Sequence, residues 1–436
     1  MATLKKEWLL KPESELRCET TSDAGASSSN SVFVARLVEG NAEIFGIEMA
    51  VNKDYSFRDA SFAIFTWYGC KIETVGEAQS LYVSDKTPMI SYVNTHVQLE
   101  AKRDVALANN SNGPRILVVG SPDQGKSTLS RILASYAVRL DRTPILIDLD
   151  CGEGSFSIPG TIAALPLEKS CLSIEEPMAS CAPLVYFYGH PNPQENTPLF
   201  QQLISILAAR VSERMARDLD TRSSGIIINT CGNFEGLGLD VITSIVRILA
   251  VDVVLVMGSD KVYSSLASTL PHDKTIVLSL MRSGGVMNRD AKARSKGRKN
   301  RIHTYFYGRE NALSPERKVL RLSAFELFQV GRVQLAEGMK FIGDASGSRT
   351  ALVRLPPNTD LLHKVLAVLH PPAETAEPNK ETAADELPQG LLESNAAGFV
   401  YVIEISAEKD SITVLMPCPG DLPSKYLLSG GIKWYE

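Results

Sequence analysis

The eight residues Gly120-Ser-Pro-Asp-Gln-Gly125-Lys126-Ser127 constrain this chain more than any other stretch. They fit the spacing GxxxxGK[ST] and follow the apolar run Arg115–Gly120 (RILVVG). They also open a segment, Ser127–Leu140, that places Leu129, Ile132, Leu133, Tyr136, Ala137 and Leu140 on one helical face. A strand that passes through a glycine turn into an amphipathic helix is the setting in which this spacing cradles phosphate. The glycines let the backbone curl so that its N–H groups point inward, and the helix N-terminus adds a positive partial charge. Lys126 would reach the β/γ-phosphates, and Ser127 would hold Mg²⁺.

The surrounding residues extend the pattern. Pro144–Leu149, Pro183–Tyr188, Gly225–Thr230, Val253–Met257 and Thr275–Leu280 are continuous apolar runs, as in strands covered on both faces. Helical periodicity fills 199–218 and 237–250 between them. Alternation of strand and helix over residues 113–308 predicts an α/β fold, a P-loop NTPase-like doubly wound parallel sheet.

The flanks read differently. Short β-rich runs separated by Gly, Asn and Asp occupy Ser31–Asp85, the texture of a small antiparallel sandwich or barrel. A helix is predicted at Thr95–Asn109, followed by the polar breaker Asn109–Pro114. After Arg309 the alternation stops, and Thr350–Leu355 and Phe399–Leu415 are again β-rich. The chain of 436 residues is therefore divided into an N-terminal β domain (1–95), a central nucleotide-binding domain (96–309) and a C-terminal mixed domain (310–436). Within the last, 371–390 carries five Asp/Glu, one Lys and several Pro, and is expected to form a mobile acidic loop.

Charge and cysteine content narrow the class. With 45 Lys+Arg against 50 Asp+Glu the formal charge is −5, and 44% apolar residues exclude wholesale disorder. No apolar run approaches the roughly 20 residues of a membrane span, and Met1–Glu15 is charged where a signal peptide is apolar, so a nuclear or cytosolic, membrane-free location is expected. Seven cysteines never form a CxxC pair, which predicts reduced structural thiols and neither a disulfide frame nor a zinc site.

Further candidate residues lie at strand ends. Ile147-Asp148-Leu149-Asp150 ends the second central strand, read as lying beside the phosphate-loop strand, with both carboxylates on one side. Asp150 could take a proton from an attacking hydroxyl or bind the metal's water shell. Asn229-Thr230-Cys231-Gly232-Asn233 ends a later strand and, taken alone, is a strand-to-loop turn. Arg289–Arg301 holds seven Lys/Arg against one Asp, with Arg294 and Arg298 one helical turn apart. Such a cluster could neutralise a transferring phosphoryl group, attract a nucleic-acid backbone, or be a solvated basic helix or localisation signal.

Taken together, SPDQGKSTLSRILASYAVRLDRTPILIDLDCGEGSFSIPGT, INTCGN, MRSGGV and IHTYFYG resemble the eukaryotic family of RNA 5′-hydroxyl kinases and pre-mRNA cleavage-factor subunits. GNAEIFGIEM and FAIFTWYGC resemble its N-terminal domain, so the likeness runs nearly end to end. It implies a nuclear ATP-binding subunit of the mRNA 3′-end cleavage and polyadenylation machinery, held by a scaffold subunit of that factor. It also implies association with the tRNA-splicing endonuclease and contact with RNA. ATP and Mg²⁺ are the implied cofactors. Glu15 matches a glutamate on the adenine side. Gly120 and the stretch Asp123, Gln124, Gly125, Lys126, Ser127 and Thr128 match the phosphate loop, with Ser127 and Asp150 toward the metal. Asp150 matches the kinases' general base, and Arg294 and Arg298 match the lid arginines.

Three positions depart from that pattern. Asn233 stands where the kinases carry a tryptophan that stacks on the terminal nucleotide, an interaction worth about 1–3 kcal/mol per base. Glu153 replaces a glutamine beside the phosphates, and Ser61 replaces a lysine found in some relatives. Two expectations follow: a nucleotide-loaded scaffold subunit, or an enzyme moving the γ-phosphate of ATP to an RNA 5′-hydroxyl. A guanine-specific regulator is disfavoured, since no NKxD-like tetrapeptide follows the later strands.

Overall fold

The computed structural model describes residues 5–20, 32–175, 181–232, 238–334, 348–356, 361–372 and 390–436. Chain contacts gather into two compact units, the first comprising Met1–Ile147, Leu165–Ala182 and Val211–Arg289, the second Asp148–Ala164, Pro183–Arg210 and Asp290–Glu436.

The first unit begins with a β-sandwich. One antiparallel sheet orders Lys5–Leu10, Cys70–Val75, Phe33–Gly40 and Asp54–Phe57, and the other orders Ile47–Glu48, Glu43–Ile44, Ser61–Thr66, Ser14–Glu19 and Ser80–Ser84. Alternation along Phe33–Gly40 buries Phe33, Ala35 and Leu37, which meet Leu16, Ile64 and Ile72 in one core. Helix α1 (Met89–Ala108) starts six residues before the predicted Thr95, directly after Pro88, a residue tolerated where a helix opens.

Strand β1 (Arg115–Gly120), helix α2 (Lys126–Arg139), strand β2 (Ile145–Asp148), strand β3 (Ile226–Asn229), helix α3 (Gly238–Ile248), strand β4 (Val253–Met257), helix α4 (Asp260–Thr269) and strand β5 (Ile276–Leu280) follow. The strands stand in the order β2-β3-β1-β4-β5, and β1 pairs in parallel with both β3 and β4. This corrects one expectation: β2, which leads into Asp150, is not the neighbour of the phosphate-loop strand, because β3 stands between them. Every residue of β3 and β4 is buried, but in β5 Ile276 and Leu278 are exposed, since β5 is the end strand of the sheet.

The second unit corrects another. Leu184–Phe187 pairs antiparallel with Thr161–Pro166, with Thr161 opposite Phe187, so the predicted apolar run at 183–188 is not part of a purely parallel sheet. Helix α5 (Ala291–Tyr307) is capped by Asp290, whose side chain accepts from the Ala293 N–H at 2.6 Å. A seven-stranded sheet follows in the order Glu316–Arg321, Ser411–Met416, Ala396–Ser406, Lys364–Leu369, Tyr426–Lys433, Glu326–Gln334 and Ser348–Arg354. Period-two alternation gives it two cores. Val365 and Ala367 face Ile302, Phe306, Phe328 and Trp434, while Leu366 and Val368 face Leu322, Val400 and Val414.

The cysteine expectation fails at one pair. Cys171 and Cys181 are joined as a disulfide, their Cα atoms 6.1 Å apart, because the chain returns on itself within ten residues. Outside that pair, Cys18, Cys70, Cys151 and Cys231 are buried and Cys418 is exposed. Most of the predicted acidic loop, 373–389, lies outside the described residues, as does Asn233. Among the described residues no helix is long and apolar enough to cross a membrane.

Candidate functional site

The phosphate loop is assembled from backbone conformations that its sequence requires. Gly120 ends β1 with φ of 153°, and a Cβ at this position would meet the Met257 carbonyl oxygen at 2.6 Å. Gly125 is the N-cap of α2 in the left-handed region, φ 86°, ψ 19°. Between them Asp123 also has positive φ, 56°, and its carboxylate accepts from the Arg289 N–H at 2.8 Å and from Arg289 Nε at 3.3 Å. Gln124 packs against Gly258, and Thr128 sits half-buried in the first turn of α2. Successive inward N–H groups at a helix start form an anion-binding concavity.

Lys126 is buried, and its Nζ donates to the Ser121 carbonyl oxygen at 2.8 Å, which holds the ammonium over the loop. Ser127 meets the side-chain amide of Asn229: Asn229 Nδ2 donates to Ser127 Oγ at 3.2 Å, and Ser127 Oγ lies 3.4 Å from Asn229 Oδ1. A serine hydroxyl and an amide oxygen are hard donors suited to Mg²⁺, which takes one or two protein oxygens and completes its shell with phosphate and water.

Glu15 lies on Ser14–Glu19, opposite Phe65 on one side and Ser84 on the other, and is buried. Its carboxylate accepts from Arg17 Nε at 2.6 Å and from Thr87 Oγ1 at 2.9 Å. Arg17 also donates to the Lys86 carbonyl oxygen at 2.6 Å and lies against Gly284 and Gly285. Sequence reasoning missed Arg17, although strand alternation places it on the same face as Glu15. Ser61 is exposed at the start of its strand.

The same unit holds a buried polar network around α2. The Tyr136 hydroxyl and Arg139 Nη1 both donate to the Glu43 carboxylate, the arginine at 2.9 Å. Burial raises the Glu43 carboxyl above the usual range, and these two donors oppose that shift. His96 packs 5.3 Å from the Tyr136 ring, and burial, with help from the Arg103 charge, lowers it to about 4.

In the second unit Asp148 and Asp150 have different surroundings. Asp148 is buried and organises the loop after β2, accepting from the Asp150 N–H at 3.0 Å and the Ser155 N–H at 3.1 Å. Asp150 is half-buried, and its Oδ1 accepts from the Gly152 N–H at 3.1 Å. Both Arg294 and Arg298 are half-buried on α5, and Arg301 continues their stripe at the i+7 position. Arg301 keeps a solvent-accessible face while protein surrounds it. That enclosure lowers its pKa, and the charges of Asp148 and Glu153 oppose the shift. It was not singled out from sequence, since the helical register beyond Arg298 was not followed.

Three family models match consecutive parts of the chain: an N-terminal beta-sandwich domain of polyadenylation factor over 9–106, the mRNA cleavage and polyadenylation factor CLP1 P-loop over 120–308, and the pre-mRNA cleavage complex II protein Clp1 over 313–436. The chain belongs to the Clp1 family.

Relatives in that family cover it almost completely. A "Protein CLP1 homolog" of Nematostella vectensis is 36% identical over 99% of this chain and 97% of its own length. One from Arabidopsis thaliana is 37% identical over 99% and 94%. The "Polyribonucleotide 5′-hydroxyl-kinase Clp1" of Rattus norvegicus is 37% identical over 98% of this chain and 96% of its own. A solved Clp1p–Pcf11p (454–563) complex contains a chain of the same fold, with TM-score 0.80 at 22% identity, covering 100% of this chain and 99% of that one.

Proposed function

We propose that this chain binds ATP with Mg²⁺ in the Gly120–Ser127 loop and serves, in the nucleus, as the nucleotide-loaded subunit of the pre-mRNA 3′-end cleavage and polyadenylation complex. The observation that carries the reading is the loop itself: two obligatory glycine conformations, the buried Lys126, and Ser127 presented beside Asn229. Lys126 would neutralise phosphate charge, Ser127 with its neighbours would hold Mg²⁺, and the Glu15–Arg17 pair would line the adenine side. Mg²⁺ would supply charge neutralisation at the β- and γ-oxygens. The partner in this reading is a scaffold subunit of the cleavage factor, in keeping with the Clp1p–Pcf11p complexes among the solved relatives. A bound nucleotide would also stabilise the fold, by about 4 kcal/mol at a thousandfold excess over Kd.

A second reading is transfer of the γ-phosphate to an RNA 5′-hydroxyl, favoured by the half-exposed Asp150 carboxylate and by relatives named polyribonucleotide 5′-hydroxyl-kinase. Asp150 would accept the hydroxyl proton while Arg294 and Arg298 offset charge on the moving group. Association with the tRNA-splicing endonuclease belongs to this reading. Label transfer from γ-labelled ATP to a 5′-hydroxyl oligoribonucleotide separates the two. Nucleotide retained through purification with no label moved supports the scaffold; transfer lost in both Lys126→Ala and Asp150→Ala supports the enzyme.

A further inference from the structure

We infer that Asn229 is a positioning residue for the metal-binding hydroxyl of Ser127, so that its side chain governs how nucleotide affinity depends on Mg²⁺. The inference rests on ATP binding at Gly120–Ser127. Strand order supplies the first observation: β3 is the direct neighbour of β1, and its last residue, Asn229, is in register with Val118. A neutral amide thus stands at the strand end beside the phosphate loop.

The second observation is contact. Asn229 is 4% exposed, and its amide meets Ser127 Oγ through both polar atoms, at 3.2 and 3.4 Å. A hydroxyl that gives a lone pair to a cation can still donate its hydrogen bond on the other side, and Asn229 Oδ1 is placed to accept it. The third is rigidity. Thr230, fully buried, donates from its hydroxyl to the Val118 carbonyl oxygen at 2.7 Å, which pins the end of β3 to the phosphate-loop strand. A neutral amide adds no negative charge next to the triphosphate, so nucleotide should bind appreciably even without metal, with Mg²⁺ strengthening it through Ser127.

The test is titration of the full chain with ATP in excess Mg²⁺ and again in a chelator. For Asn229→Ala, affinity in Mg²⁺ should fall about tenfold while affinity in chelator stays within twofold of wild type. Asn229→Asp keeps an acceptor and adds charge, so it should retain most of the affinity in Mg²⁺ and lose about tenfold in chelator. Ser127→Ala should mask the Asn229→Ala loss, since coupled positions do not add. Thermal unfolding without nucleotide checks that each variant folds, and Asn229→Asp carries the test should Asn229→Ala fail to fold. Equal losses with and without Mg²⁺, no loss in either, or additive effects of Ser127→Ala and Asn229→Ala would overturn the inference. A wild-type chain that binds no ATP under either condition would instead overturn the nucleotide-binding reading beneath it.

Discussion

The candidate functional residues divide between the two compact units. Glu15, Arg17, Gly120–Thr128 and Asn229 belong to the first, whereas Asp150, Arg294, Arg298 and Arg301 belong to the second. In the first set Glu15 is held by the Arg17 and Thr87 side chains, Lys126 by the Ser121 carbonyl oxygen and Ser127 by the Asn229 amide. Asp150 and the Arg294–Arg298 pair are half-exposed, on a loop and along a basic helix. Groups fixed in advance suit binding, because little ordering entropy remains to be lost when a ligand arrives. If the proposed readings hold, the difference teaches that nucleotide holding and phosphoryl transfer should be separable by mutation.

The largest expected effect lies in the second unit. If the chain transfers phosphate, Asp150→Asn should lower the rate of label transfer by about 10²–10⁴-fold, the range for a positioned general base, with ATP affinity within twofold of wild type. Loss of ATP binding in that variant would erase the separation. Next comes packing. Phe306 is fully buried between α5 and the C-terminal sheet, so Phe306→Ala should cost about 3–5 kcal/mol in denaturant unfolding of the second unit while ATP binding by the first persists. Equal loss of both would show that the units do not act separately.

Acid should loosen the first unit. The folded-state pKa of His96, about 4, is below the ordinary 6.5, so the unfolded chain binds more protons between these values and stability falls as pH drops through that window. The full shift corresponds to about 3 kcal/mol, approached near pH 4, and titration of this residue adds no pH dependence above pH 7. Glu100, Arg103 and Arg139 are the charges felt by the ring. His96→Gln should flatten the profile between pH 6.5 and 4 in an equilibrium unfolding series; an unchanged slope would assign the acid sensitivity elsewhere.

What could be read beforehand was whatever depends on local spacing. The phosphate loop was legible because glycine conformation, lysine position and the start of α2 are set within eight residues. The central strands were legible from their apolar runs, with β4 matching Val253–Met257 residue for residue. The contact between Asn229 and Ser127 was not, since it depends on which strands become neighbours. The insertion of β3 between β1 and β2 is a long-range choice that no single segment encodes. Thr161–Pro166 was missed because TIAALP has weak β-propensity and owes its strand state to pairing with Leu184–Phe187. The Cys171–Cys181 link was missed for a similar reason, as pairing follows from where the backbone turns rather than from spacing.

The smallest of these effects in energy is also the most direct test of the account. Lys126→Ala removes one charge-assisted contact with phosphate, worth about 1.5–3 kcal/mol, so calorimetric titration with ATP in Mg²⁺ should show affinity reduced by roughly 10- to 150-fold against wild type. Saturable ATP binding by the wild-type chain, weakened to that extent in the variant, is the predicted result. Wild-type protein that takes up no ATP at millimolar concentration, or a Lys126→Ala variant that binds it equally well, would contradict the assignment of Gly120–Ser127 as the nucleotide site.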